Sequence, residues 1–234
     1  VGTLYLNGGA TLAPNSKVSA ASIVLDSGTV LRLRDETESA IISGAGAVET
    51  YGNITFGGNN TFSGGLTVKA GSIARTTAQQ GFGKNNYGQA IANLSRIVVE
   101  DGGSLDLKST KDACYAITIA GKGVLNNGVY SGAVFNSGEQ LGSGTRQTAS
   151  ITLTADAMVK VDNGWGLVNS QYNETVLALN GHTMTVSGAG NFPIVNANTA
   201  SGTATTGTLV VDGAILGLVQ NASNLTGVNV VLKG

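Results

Sequence analysis

The chain has 234 residues, a formal net charge of −1 and 12% charged residues, about half the quarter that is usual for a soluble domain. Nucleic acid is excluded as a partner, because binding it requires several basic residues to neutralise phosphates. The 41% of hydrophobic residues predict a folded protein in spite of 35 glycines, since disordered linkers lack apolar surface to bury.

Cysteine and histidine occur once each, as Cys114 and His182. This count excludes an internal disulfide framework and leaves too few ligands for a zinc site, so we expect neither a metal nor another cofactor. Cys114 should be a small buried thiol. No apolar run approaches the roughly 18 residues of a membrane-spanning helix, and we expect no membrane contact. The chain starts in a strand pattern at Val1, without an initiator methionine or signal peptide, which favours a segment of a longer protein.

Taken in chain order, the predicted elements are short strands that recur as similar units. Each unit reads apolar, any residue, apolar, then a turn of Asn, Asp or Gly, then a second short strand. The copies lie at residues 4–12, 23–31, 97–105, 117–125, 177–184 and 209–216. Alternation of this kind is typical of half-buried strands. One copy cannot bury an apolar face alone, so the copies should stack as a solenoid.

The spacing of the copies is uneven: the first two begin 19 residues apart, at 4 and 23, and the last two 32 apart, at 177 and 209. A β-helix accommodates this, because one corner of each coil can carry a loop of any length. We therefore predict an all-β fold, a right-handed parallel β-helix (β-solenoid), as a single elongated domain over residues 1–234. Coils of roughly 20 to 25 residues would number about ten. At about 4.8 Å per coil they would form a rod roughly 50 Å long. An all-β sandwich is the alternative, although its strands are usually joined by hairpins.

The apolar positions of the alternation should point into the core. These are Leu4, Leu6, Ile23, Leu25, Leu31, Leu33, Ile54, Phe56, Leu66, Val68, Ile97, Val99, Leu105, Leu107, Ile117, Ile119, Ile151, Leu153, Leu177, Leu179, Leu209 and Val211.

A more specific pattern lies between residues 47 and 73. An apolar strand is followed by Gly58 to Gly65, which read GNNTFSGG, then by a second strand, an Ala-Gly pair and a third strand. The pattern resembles the autotransporter-associated β-strand repeat, and departs from it at Ile73, where the family usually has Leu. Weaker echoes, such as residues 187–192, extend over most of the remaining chain.

The resemblance implies a β-helical passenger region of a large extracellular protein, secreted by a Gram-negative bacterium or displayed on its surface. It says almost nothing about the ligand. We expect an adhesin or rigid structural stalk that binds a host glycan, a protein or neighbouring cell-surface molecules through its loops, without catalysis.

The densest charge cluster contains Arg32, Arg34, Asp35, Glu36 and Glu38. On a strand the two arginines would point together into solvent, with the carboxylates on the turn that follows. The cluster is then a solvated face. Paired carboxylates can also act as acid and base, so an enzyme acting on extracellular polysaccharide is an alternative function.

Two stretches interrupt the alternation, and we predict loop insertions at 75–95 and 162–175. Loops on rigid scaffolds often carry function. Trp165, the only tryptophan, lies between two glycines and would present its indole to a ligand, with Tyr172 as second candidate and Tyr87 as a separate site. Closure of the loop over the core is the alternative role for the tryptophan.

We expect a monomer in solution. Open strand edges at the two ends invite pairing, so a subunit that associates end to end is a further interpretation.

Overall fold

The computed structural model of the chain describes residues 2–12, 20–83, 96–111, 114–141, 147–168, 175–195, 205–219 and 225–233. Within these ranges the chain consists almost wholly of β strands and turns, which confirms the predicted all-β class. No helix in them is long and apolar enough to cross a membrane.

The strands are short, and most are two to seven residues long. In chain order they are β1 (Thr3–Leu6), β2 (Thr11–Leu12), β3 (Ser22–Leu25), β4 (Val30–Glu38), β5 (Ile41–Gly44), β6 (Ala47–Phe56), β7 (Leu66–Val68), β8 (Ile73–Thr76), β9 (Arg96–Val99), β10 (Ser104–Asp106), β11 (Tyr115–Gly121), β12 (Leu125–Asn126), β13 (Val129–Tyr130), β14 (Val134–Phe135), β15 (Thr148–Lys160), β16 (Val176–Ala178), β17 (Thr183–Ser187), β18 (Asn191–Val195), β19 (Thr206–Asp212), β20 (Ile215–Val219) and β21 (Gly227–Lys233).

The pairing between these strands is parallel with one exception. A three-stranded sheet has the order β1-β3-β5, a fourteen-stranded sheet contains most of the others, and β18 pairs with β20. The exception is the antiparallel hairpin of β12 and β13. Hairpin-joined strands, which are usual in a sandwich, form one pair among the described strands.

Three long strands, β4, β6 and β15, take part in two rows of the large sheet. Their first halves stack in the row β2, β4, β6, β7, β9, β11, β15, β16, and their second halves in the row β4, β6, β8, β10, β14, β15, β17, β19, β21. The register between β4 and β6 shifts at Asp35, which has φ 46°, opposite Gly52, which has φ 76°. A positive φ interrupts the extended backbone and turns the strand, and glycine adopts it at little cost.

Apolar side chains form columns that run along each row from strand to strand, because parallel strands in register place residues directly above one another. One column runs through Leu31, Val48, Leu66, Ile97, Ile117, Ile151 and Leu177. Every predicted inward position is buried except Leu4, which is partly buried. Cys114 is buried, as predicted.

Arg75 and Thr76, the first two residues of the predicted loop at 75–95, belong to β8. Residues 77–83 form turns that pack Phe82 into the core, and residues 84–95 lie outside the described part of the chain. In the second predicted loop, residues 164–168 are buried, and residues 169–174 are not described.

Candidate functional site

The charged residues near Arg32 do not converge on one site. Arg32 and Arg34 project outward from β4, as predicted for a solvated strand face. The Arg32 Nε donates to Glu49 Oε2 at 2.8 Å. The guanidinium carbon of Arg34 lies 5.7 Å from the centre of the Tyr51 ring. Asp35, at the bend, accepts the backbone N–H of the residue after Gly52, so both arginines and this aspartate already have partners within the fold.

The prediction that the carboxylates lie on a turn after the strand is wrong for Glu36 and Glu38, because β4 continues through both. Glu38 turns inward and is 3% exposed. Its Oε1 accepts the N–H of Ala40 at 2.7 Å, whereas its Oε2 has no hydrogen-bond partner. Burial raises the pKa of the Glu38 carboxyl more than this hydrogen bond lowers it, and repulsion from Glu36 adds to the rise. Glu38 is therefore a buried group inside the strand stack.

Paired charges lie on β4 and β6 and on the residues that follow β7 and β9. Glu49 accepts from Arg32 and from the Tyr51 hydroxyl at 3.0 Å. Partial burial would raise the pKa of Glu49, but these hydrogen bonds and the charge of Arg32 hold it below its ordinary value. Lys69 Nζ lies 2.5 Å from Glu100 Oε1, and this hydrogen bond raises the pKa of the lysine. A carboxylate held ionised between cations serves as a structural partner and is poorly suited to general acid catalysis.

The prediction that Trp165 presents its indole on an exposed loop is wrong. The side chain is fully buried, its indole N–H donates to the Lys160 carbonyl at 2.8 Å, and its ring packs edge-on against Phe192 at 5.2 Å. A Cβ at Gly166 would lie 2.1 Å from the carbonyl oxygen of Pro193. The glycines beside the tryptophan therefore allow backbones to approach closely. Trp165 instead has the alternative role, in which its segment closes over the core.

Tyr172 and Tyr87, the other two aromatic candidates, lie outside the described residues.

A polar cleft that the sequence did not reveal lies where the turn after β8 meets the turn after β10. It has a volume of about 420 Å³ and is lined by Thr77, Gln79, Lys108, Ser109, Thr110 and Lys111. The run Lys-Ser-Thr-Lys could have drawn attention to a cationic turn. Nothing in the sequence indicated that a turn some thirty residues earlier lies beside it.

Hydrogen bonds to the next strand along the stack hold this turn in place. Asp106 is almost fully buried and accepts the N–H of Lys108 at 3.0 Å and both the N–H and hydroxyl of Ser137. Asn136 accepts the N–H of Ser109 at 2.8 Å. Lys108 and Ser109 both adopt left-handed backbone, with φ 48° and 59°. Such conformations persist only where the surroundings enforce them, so the wall of the cleft is preorganised.

Two groups of exposed apolar side chains lie elsewhere among the described residues. The β12–β13 hairpin exposes Leu125, Val129 and Tyr130, and its turn has left-handed backbone at Asn127 and Gly128. The last strands, β20 and β21, expose Ile215, Leu218, Val219, Val230 and Leu232.

Within the described ranges, no group of three His, Cys, Asp or Glu side chains is placed to hold a metal ion. Comparison of the chain with models of protein families, with curated proteins and with solved structures finds no match. A functional assignment therefore rests on the fold and on the exposed chemistry of the chain itself.

Proposed function

We propose that the chain is a right-handed parallel β-helix of about ten coils, which forms a rigid extracellular segment of a Gram-negative surface protein. It acts as a stalk or adhesin and performs no catalysis. The observation that carries the proposal is the continuous in-register stacking of parallel strands from β2 to β21. A scaffold stacked in this way is stiff and extends in one direction.

The order in which the chain visits its strands supports the helical path. From β3 it passes to the first half of β4, bends at Asp35 into the second half, and then enters β5, which pairs with β3. Ser22 pairs with Ile41, so one circuit takes 19 residues here. Each circuit returns to the same row one strand further along, as in a coil.

The chemistry of the outer face supports a binding or structural role. The arginines of the charged cluster are engaged by Glu49 and Tyr51, and Glu38 is buried. Glycoside hydrolysis requires two carboxylates that both reach the substrate, and the burial of Glu38 removes one member of this cluster from that role.

Surface labelling tests this function in the cells that make the protein. A membrane-impermeant amine reagent should modify the exposed Lys233 in intact cells as fully as in lysed cells. Labelling only after lysis would contradict an extracellular location. Release of reducing sugars from acidic or neutral polysaccharides by the purified chain would instead favour the enzyme alternative.

End-to-end association is a second candidate function, and it is favoured by one observation. Val211 is buried, but Leu232, its partner in the next strand of the same column, is 75% exposed. A second copy that stacks on β21 would cover this side chain, as would a further coil of a longer chain. Light scattering should then show a mass that rises with concentration, and Leu232→Glu should abolish the rise. A constant monomer mass over the whole range would exclude association through this end.

A further inference from the structure

We propose that the cleft between the turns at 77–79 and 108–111 binds an acidic sugar, a hexuronate unit of a polysaccharide. The inference adds a ligand class to the adhesive function proposed above, and rests on that function for access to extracellular polysaccharide. Three properties of the cleft support this ligand: its charge, the hydrogen bonding of its hydroxyl groups and its rigidity.

The charge of the lining favours an anion. Lys108 and Lys111 contribute two ammonium groups, and none of the six lining residues carries a carboxylate. Asp106, the acidic residue behind the wall, is 1% exposed, and its oxygens accept from Lys108 and Ser137. Arg75 Nε lies 3.5 Å from its Oδ2. The carboxylate of Asp106 is therefore directed into the fold, and among the described residues no ion pair engages either lysine.

The hydroxyl groups of Ser109 and Thr110 donate to backbone carbonyl groups that are not part of the cleft lining. Ser109 donates to the carbonyl of Glu139 at 3.0 Å, and Thr110 donates to the carbonyl of Thr76 at 3.4 Å. A hydroxyl has one proton and two lone pairs. With the proton committed to a carbonyl, each oxygen offers only acceptor capacity to a ligand.

These two properties together select a ligand with an anionic group and hydroxyl donors on one frame. Sulfate can accept from the lysines, but has no proton to donate to the serine and threonine oxygens. A neutral sugar has the hydroxyl groups but leaves the two ammonium groups unpaired. A hexuronate carries a carboxylate and several hydroxyls on one ring, and so matches both sets of groups.

The size and rigidity of the cleft agree with this ligand. Its volume of about 420 Å³ is open toward solvent, which suits one unit of a polymer that extends beyond the cleft. Asp106 and Asn136 fix the backbone of the Lys108 turn before any ligand arrives. Little ordering of the wall is then required on binding, which favours affinity.

The test is calorimetric titration of the purified full chain with an oligogalacturonate, its methyl ester and sodium sulfate. The variant Lys108→Gln/Lys111→Gln removes both cations, and Lys233→Gln is the matched control, since it removes an exposed lysine far along the stack. Circular dichroism verifies that each variant is folded.

We expect the oligogalacturonate to bind more tightly than the ester or sulfate. The double variant should raise its Kd at least tenfold, and Lys233→Gln should leave it unchanged. Thr110→Val should weaken binding of the oligosaccharide without affecting that of sulfate. Absence of binding, equal binding of the ester, or equal losses in the double variant and the control would overturn the proposal. Equal binding of sulfate would leave a plain anion site and would also reject it. Because the titration uses purified protein, its result is independent of the surface labelling that tests the function.

Discussion

The side chain of Trp165 shows how a residue that reads as a loop anchor can instead be part of the core. Its ring is packed against Phe192 and its only polar atom is satisfied by a backbone carbonyl. A buried tryptophan meets both of its requirements this way, apolar contact for the ring and an acceptor for the N–H.

Replacing Trp165 with alanine should therefore lower the free energy of unfolding by about 3–5 kcal/mol, the range for buried aromatic truncations. Tyr5, which is 64% exposed, is the matched aromatic control, and Tyr5→Ala should change stability by no more than about 0.5 kcal/mol. Denaturant unfolding followed by circular dichroism measures both. Equal effects of the two substitutions would contradict the burial of the indole.

Glu38 provides a test that depends on pH. Its pKa is raised in the folded state by burial, so ionisation of this carboxyl costs stability. The cost is absent below the unfolded pKa of about 4.3 and grows as the pH rises toward and through the folded pKa. Glu38→Gln cannot ionise, so its stability relative to the wild type should be greater at pH 7 than at pH 4.

Thermal unfolding across this pH range measures the difference for Glu38→Gln. The control is Glu139→Gln, at an exposed carboxylate. A stability difference for Glu38→Gln that does not change with pH would show that the carboxyl titrates normally.

At the scale of the element, the long strands depend on their bends. Asp35 Oδ1 accepts the N–H of Asn53 at 2.7 Å, and Gly52 lies directly beneath that carboxylate. The bend thus combines a left-handed backbone with a side-chain cap from the neighbouring strand. This combination holds the two halves of β4 and β6 in different rows.

Alanine substitutions at Gly28 and Gly52 separate the cost of left-handed backbone strain from the cost of a clash with the Asp35 carboxylate. Gly28 has φ 80° and open space where a Cβ would lie, whereas a Cβ at Gly52 would meet Asp35 Oδ1 at 2.0 Å. Gly28→Ala should cost about 1–2 kcal/mol of left-handed strain, and Gly52→Ala should cost more. In an Asp35→Ala background the excess should disappear, because the clashing carboxylate is gone. An excess that persists in the double variant would place the clash elsewhere.

At the scale of the whole molecule, stability comes from columns that run along the stack. Ile54, Ala74, Leu105, Val134, Val159, Val186, Val211 and Leu232 follow one another in register, one from each successive strand of the row. Each residue except the terminal Leu232 is covered by the strands on either side, so a given substitution should have an effect that depends on its level in the stack.

Two leucines of this column allow a comparison at constant chemistry. Leu105 is fully buried in the middle of the column and Leu232 is exposed at its end. Leu105→Ala should lower the unfolding free energy by about 2–5 kcal/mol, and Leu232→Ala should have a much smaller effect. The measurement is denaturant unfolding at low protein concentration, where the end of the stack is uncovered. Similar losses for both variants would argue against stacking as the source of stability.

The sequence by itself determined the strands of the repeated units and the inward faces of those strands. Alternation with a period of two is a local property of the chain, so Leu31 and Leu33, or Ile117 and Ile119, could be assigned to the core without knowledge of their neighbours. The left-handed turns marked by glycine and asparagine, such as Asn180-Gly181, were equally readable.

Only the tertiary structure decided which of the remaining residues are exposed and which meet. The sequence around Trp165 cannot distinguish glycines that make a loop flexible from glycines that allow the backbone of Pro193 to approach closely. The inward turn of Glu38 breaks the expected polarity of its strand, and the cleft joins Thr77 to Lys111 across a long separation in sequence. Stacking brings together residues about 20–30 positions apart, and the uneven loops between them set which residues meet. No local sequence pattern determines which residues of successive coils lie side by side, so only the folded chain defines the cleft.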